Sequence, residues 1–276
     1  MRIIFFVFYL LSFLSRTYLS LVQPFYIDQA NISALLSAAA YCGKDKYNNL
    51  VWKEPANGFI LQHIIHDNVS DMQGFVAVLP SEKTIYIVFR GSQTIRNWLE
   101  DLEFIQIQYQ YCDCKVHYGF YKTALNIMDG LIPVIKKVKE QYHNYSVIVT
   151  GHSYGSAVAQ LISIELLVLL QIESTVYTFG QPRIGDANYA NFINTKINLW
   201  RIVHNRDIVP HIPFTNGLDY YHSCGEVFED EYNYIHICSK TDCEDITCSQ
   251  QYQIKNTNVK DHMIYLGHNM TCEYYL

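Results

Sequence analysis

Two spacings of apolar residues divide the chain. Residues 74–79 and 84–89 are short β-branched and aromatic runs, and Pro80-Ser-Glu-Lys83 between them predicts a hairpin turn. Residues 146–150 form a continuous apolar run of the kind buried in parallel sheets, and residues 175–179 and 199–203 read as two further strands. Helical spacing appears over 32–41 and again over 118–140, where Leu125, Met128, Ile132, Ile135 and Val138 recur every three or four residues and Lys136, Lys137 and Lys139 sit solvated near the end. Residues 154–171 are strongly apolar but interrupted by Gln160 and Glu165, which fits a buried core helix better than a membrane span. A polar helical stretch over 186–196 separates the last two strands. Strand, helix, strand, helix, strand is the rhythm of a single α/β domain. Residues 94–105 are amphipathic, with Ile95, Trp98, Leu99, Leu102 and Ile105 on one helical face and Arg96, Glu100, Asp101 and Glu103 elsewhere. Residues 229–258 are polar, cysteine-rich and irregular, and read as a stapled excursion.

The amino terminus differs from the rest. Met1-Arg2 is a positive start, and residues 3–14 are apolar except for Ser12. A dozen apolar residues is short for a bilayer and matches a secretory signal, so residues 1–20 read as a signal peptide cleaved between Ser15 and Gln23, leaving 21–276 as the folded domain. An uncleaved anchor is the alternative. No membrane span is expected after signal removal.

Composition supports export and excludes other classes. Half of the 276 residues are hydrophobic, 14% are aromatic and 17% are charged, so disorder is excluded. A net charge of −6 gives no electrostatic footprint for nucleic acid. All eight cysteines (42, 112, 114, 224, 238, 243, 248 and 272) lie beyond the leader, an even count that reads as four disulfides with connectivity open. A Cys42–Cys272 bond would tie the ends together. No CxxC…CxxC or HExxH frame occurs, so no metal and no cofactor is expected. Sequons at Asn31, Asn68, Asn144 and Asn269 suit a secreted glycoprotein.

Candidate chemistry sits between the 146–150 strand and the 154–171 helix. Gly151-His-Ser-Tyr-Gly155 matches G-x-S-x-G in the strand-to-helix context which that motif requires, making Ser153 the candidate nucleophile. The backbone N–H of Tyr154, the next residue, is then one oxyanion donor. A serine needs a base, and the base needs an orienting acid. Asp207 is the best acid, since it follows the 199–203 strand at the sheet's carboxyl end, with Asp186 and Asp261 as competitors. Five histidines follow Ser153 and can serve as base: His211, His222, His236, His262 and His268. Pattern alone does not choose among them.

Six segments, in order, resemble the class 3 lipases, the fungal-type triacylglycerol lipases. They are Ile87-Val-Phe-Arg-Gly-Ser92, Arg96-Asn-Trp98 with Asp101, Gly151-His-Ser-Tyr-Gly155, Phe179-Gly-Gln-Pro-Arg-Ile-Gly185, His204-Asn-Arg-Asp-Ile-Val-Pro210 and Asp261-His-Met-Ile-Tyr-Leu-Gly267. They cover about residues 74–267. The resemblance implies an α/β-hydrolase-like fold, a single domain with a predominantly parallel central sheet flanked by helices and a short lid helix. It implies a triad of Ser153, Asp207 and His262, and Ser92 as second oxyanion donor. It also implies that 94–105 is a mobile lid whose Ile95, Trp98, Leu99 and Leu102 face substrate, and that a small disulfide loop stands at Cys112-x-Cys114. His117, His152 and His222 read as supports for neighbouring motifs. Ser156 stands where a second Gly is common in the family and Tyr154 where it often has Leu, and Tyr154 narrows the expected pocket floor.

The expectation is a secreted serine ester hydrolase, foremost a triacylglycerol lipase acting on lipid ester at an oil–water interface through transient lipid-surface contact. Alternatives on the same fold are a phospholipase A1 or galactolipase and a feruloyl-type esterase. A non-catalytic secreted binding protein is the alternative from another class, which the three intact triad residues oppose. Oligomeric state is not legible.

Overall fold

The computed structural model describes residues 23–52, 54–101 and 103–272. The leader assigned to residues 1–20 and the lid residue Leu102 lie outside these. In chain order, helix α1 (Ile27–Ala39) leads through a tight turn to Cys42. Strands β1 (Ile60–Asp67), β2 (Met72–Leu79) and β3 (Thr84–Phe89) form an antiparallel meander. Helix α2 (Ile95–Asp101) and a small hairpin of β4 (Gln106–Gln108) and β5 (Lys115–His117) follow. Next come α3 (Tyr118–Gln141), β6 (Ser146–His152), α4 (Tyr154–Leu170), β7 (Thr175–Phe179), α5 (Ala187–Asn194) and β8 (Asn198–His204). The chain then forms β9 (Glu226–Glu229), β10 (Ile235–Ile237), α6 (Val259–His262) and a two-residue hairpin of β11 (Ile264–Tyr265) and β12 (His268–Asn269).

Eight strands make one sheet in the order β1-β2-β3-β6-β7-β8-β9-β10, and the five from β3 to β9 are mutually parallel. The parallel strands read as unbroken apolar runs because both faces are covered. In β3, Ile85, Ile87 and Phe89 point into the core shared with α3 and α4, while Tyr86 and Val88 point into the core beneath α1. Pairing aligns the carboxyl ends: Phe89 lies opposite Gly151, His152 opposite Phe179, and His204 opposite Glu229. The loops leaving β3, β6, β7 and β8 therefore emerge on one rim, the expected location for a site in such a sheet. No helix among the described residues is long and apolar enough to cross a membrane.

Three strands of this sheet were not expected. β1 is an edge strand carrying Gln62, His63 and His66, with a bulge between Leu61 and His63, so neither its composition nor its alternation is clean. β9 reads as polar, Glu-Val-Phe-Glu, yet all four residues are buried. Glu226 is balanced by the buried Arg201, 3.3 Å away, and accepts the Ser249 N–H at 2.9 Å. Hence the 229–258 region is not wholly irregular, because β10 pairs back on β9 and extends the sheet. The expected 94–105 helix shrinks to Ile95–Asp101. The chain then turns to enter β4, Phe104 packs edge-on against Phe214, and Ile105 is 51% exposed instead of joining the helix's apolar face.

The disulfides are Cys42–Cys272, Cys112–Cys114, Cys224–Cys243 and Cys238–Cys248. The first spans 230 residues of sequence and ties α1 to the far end of the described chain. By chain entropy alone such a loop is worth roughly 5 kcal/mol. The last two pin the segment beyond β8.

Candidate active site

Ser153 is the single residue between β6 and α4. Its φ of 57° is positive, a conformation that costs a non-glycine residue on the order of 1–3 kcal/mol and lifts the side chain above the sheet. The turn is held by the Ser153 N–H, which donates to Phe179 O at 2.9 Å, and by the Ser156 N–H and hydroxyl, which both donate to Ser153 O. The flanking glycines have a steric cause: a Cβ on Gly151 would lie 2.5 Å from Gly155 O, and one on Gly155 would strike Phe89 and Arg90 main chain. Ser153 is 1% exposed, and its Oγ has no hydrogen-bond partner.

Further along the same rim, Asp207 follows β8 in a tight turn. Its Oδ1 accepts the Val209 N–H at 2.8 Å. Its Oδ2 accepts from His262 Nδ1 at 2.8 Å and from the Tyr265 hydroxyl. Asp207 and His262 are both fully buried. Because the carboxylate accepts at Nδ1, the neutral imidazole keeps its lone pair at Nε2, which has no partner. His262 stands at the end of α6, whose start is capped by Asn258 accepting the Asp261 N–H at 2.8 Å. Asn258 also forms a bridge with Asp207, stitching the two loops together.

Most of the remaining candidates have other partners. Asp261 accepts from Asn205, the Arg206 N–H and Asn258, so it is a clamp on the β8 loop. Asp186 caps α5 by accepting the Tyr189 N–H and also accepts the Lys115 N–H. His222 donates to Pro210 O at 2.7 Å, and His236 pairs with Asp230 at the surface. His117 caps α3 by accepting the Phe120 N–H, and burial holds its pKa down at about 4. Burial likewise lowers His211 to about 4 and keeps His152 and His222 well below the ordinary imidazole range.

Ser92 lies two residues past Arg90, whose guanidinium is anchored on Asp71 through both its carboxylate and its main-chain oxygen. A cavity of about 250 Å³ opens between Ser92, Gln93 and Ile95 on one side and His262, Met263 and Met270 on the other. Helix α2 borders it. Ile95, Trp98 and Leu99 are half-buried, whereas Arg96, Asn97, Glu100 and Asp101 are exposed. Trp98 stacks on Phe120 at 6.5 Å between centroids and meets Tyr154 edge-on at 6.4 Å. The Tyr154 hydroxyl is 2.5 Å from Thr123 on α3, so this ring is pinned beside the tryptophan.

Sequence reasoning did not single out Gly180 and Tyr265. A Cβ on Gly180 would fall 2.7 Å from both Asp207 Oδ2 and His262 Cε1, at a φ of 58°. Gly180 lies inside Phe179-Gly-Gln-Pro and Tyr265 inside Asp-His-Met-Ile-Tyr, so the segments were visible but the contacts were not.

The family described as Lipase (class 3) matches residues 86–217. Rhizomucor miehei lipase is 38% identical over 209 residues, 73% of this chain and 57% of that protein. Penicillium cyclopium secreted mono- and diacylglycerol lipase A is 32% identical over 160 residues, 57% of this chain and 52% of that protein. The chain thus spans little more than half the length of these relatives. A solved structure of Rhizomucor miehei triacylglyceride lipase superposes with a TM-score of 0.82 at 32% identity, covering 89% of this chain and 96% of that one. An α/β-hydrolase fold with these segments in this order leaves one assignment: the chain belongs to the class 3 lipase family.

Proposed function

We propose that this protein is a secreted serine ester hydrolase, and foremost a triacylglycerol lipase. The observation that carries the reading is the buried Asp207–His262 pair, whose unpartnered Nε2 shares one sheet rim with the elbow serine. In the mechanism, Ser153 Oγ attacks the ester carbonyl carbon while His262 Nε2 takes its proton. Asp207 holds Nδ1–H and stabilises the imidazolium. The alkoxide oxygen that develops is held by the Tyr154 N–H and by Ser92, each donor worth roughly 3–4 kcal/mol of barrier. Collapse breaks the ester bond, and His262 returns the proton to the leaving alcohol. Water, deprotonated by the same imidazole, then frees the fatty acid and restores Ser153.

Lipid as substrate is favoured by α2. Its apolar residues turn inward beside a nearly inaccessible serine, so contact with an oil surface exchanges burial against protein for burial against lipid. Secretion is favoured by the apolar leader, four disulfides and the likeness to a secreted Penicillium lipase.

The test is fatty-acid release from a long-chain triacylglycerol across its solubility limit, with Ser153→Ala alongside. The expected result is a jump in rate as droplets form and a loss on the order of 10⁵-fold or more in the variant. Release from phospholipid or galactolipid alone would move the substrate assignment. Equal activity of the variant would overturn the serine mechanism.

A further inference from the structure

The chemistry above makes no use of His152, yet both of its ring nitrogens are engaged. Nε2 lies 2.8 Å from the main-chain oxygen of His262, and Nδ1 lies 2.6 Å from the Tyr41 hydroxyl. A carbonyl only accepts, so Nε2 carries the proton, Nδ1 offers its lone pair and Tyr41 O–H donates to it. The donors run in one direction, from Tyr41 to His152 to the backbone of His262. The two imidazoles are also in ring contact, 4.3 Å apart and tilted by 35°. Main chain and ring plane of His262 are therefore both held by the residue that precedes Ser153.

Tyr41 reaches further. It adjoins Cys42, which is bonded to Cys272, and a Cβ on Gly91 would collide with its hydroxyl, so the phenol also abuts the loop carrying Ser92. We propose that Tyr41 and His152 are positioning residues that set the height and plane of the His262 imidazole relative to Ser153 while keeping the Ser92 loop in register. The inference rests on the reading of His262 as the base. A structural role alone would be met by any ring that fills the space. The one-way donor chain is what distinguishes positioning, because it needs a proton on one side and a lone pair on the other. Burial keeps His152 neutral, the state in which this chain of donors exists.

The experiment compares His152→Leu, His152→Gln and Tyr41→Phe on a soluble short-chain ester below its solubility limit. It separates kcat from KM, follows the downfield proton of His262 Nδ1–H by NMR, and records melting temperature. His152→Leu is expected to lower kcat on the order of 10–100-fold with KM unchanged, and to shift or broaden the downfield proton. His152→Gln, whose amide can donate to the same carbonyl, is expected to recover most of both. Tyr41→Phe, which keeps the ring, is expected to fall between them and decides the matter if His152→Leu does not fold. Full kcat in the folded Leu and Phe variants would overturn the proposal. So would a Gln variant as impaired as Leu, or a downfield proton that stays put while kcat falls. Ser153→Ala separates the two readings: if it is inactive while the relay variants are unimpaired, only the relay fails, and if it stays active, the serine mechanism itself fails.

Discussion

At the scale of single residues, the rim is crowded where Asp207, His262 and Tyr265 converge, and Gly180 is what allows it. A methyl at Gly180 would lie within 2.7 Å of atoms on all three and would meet an unfavourable φ as well. Gly180→Ala is therefore expected to separate Asp207 from His262 and to lower kcat on the order of 100-fold, as a displacement near 1 Å does, while leaving KM for a soluble ester little changed. Steady-state kinetics beside a melting curve checks this, and wild-type kcat in the folded variant would refute it. Much of this scale was readable beforehand. The Gly151-x-Ser-x-Gly155 spacing already implies an elbow, because only glycine tolerates main chain so close on both sides of the serine. Which histidine faces Asp207 was not readable from pattern, since 55 residues separate the partners and five histidines were eligible. Resemblance pointed to His262, and it is His262 that meets Asp207 in space.

At the scale of elements, α2 has no fully buried residue among those described. Trp98 supplies two aromatic contacts, to Phe120 and Tyr154, and such pairs contribute about 0.5–1.5 kcal/mol each beyond area burial. Trp98→Ala is expected to shift α2 away from the site, raising the rate on a monomeric soluble ester severalfold and flattening the jump at the droplet threshold. Equal losses on both substrates would instead mark Trp98 as ordinary core. Strands β3, β6, β7 and β8 were legible because burial on both faces demands continuous apolar runs. β9 was hidden for the converse reason: Glu226 is buried against Arg201 and the Ser249 N–H, Glu229 accepts the Leu266 N–H, and sequence does not reveal the partner that makes a charge tolerable inside.

At the scale of the whole molecule, the buried histidines set the response to acid. Burial holds His117 and His211 down at about 4 in the fold and keeps His152 and His222 well below the ordinary imidazole range. In the unfolded chain each takes up its proton near 6.5. Between those values the unfolded chain binds more protons, so stability is full above about pH 6.5 and is lost on the way down to 4, by up to about 1.4 kcal/mol per pH unit for each group. Glu165 and Glu229, raised by burial, act in the opposite sense, but His63 and His268, also lowered by burial, add to the four. Calorimetry from pH 7 to 4 should therefore show a steadily falling Tm, and a flat profile would contradict the neutral, buried state of these rings. The Cys42–Cys272 bond bears on a different kind of survival. With their α-carbons 4.5 Å apart, the backbone between them is a closed loop 230 residues long in sequence. A loop cut once is still one molecule. A protease that nicks an exposed turn, such as the one at Asn216-Gly217, would open the circle without casting His262 adrift from Ser153.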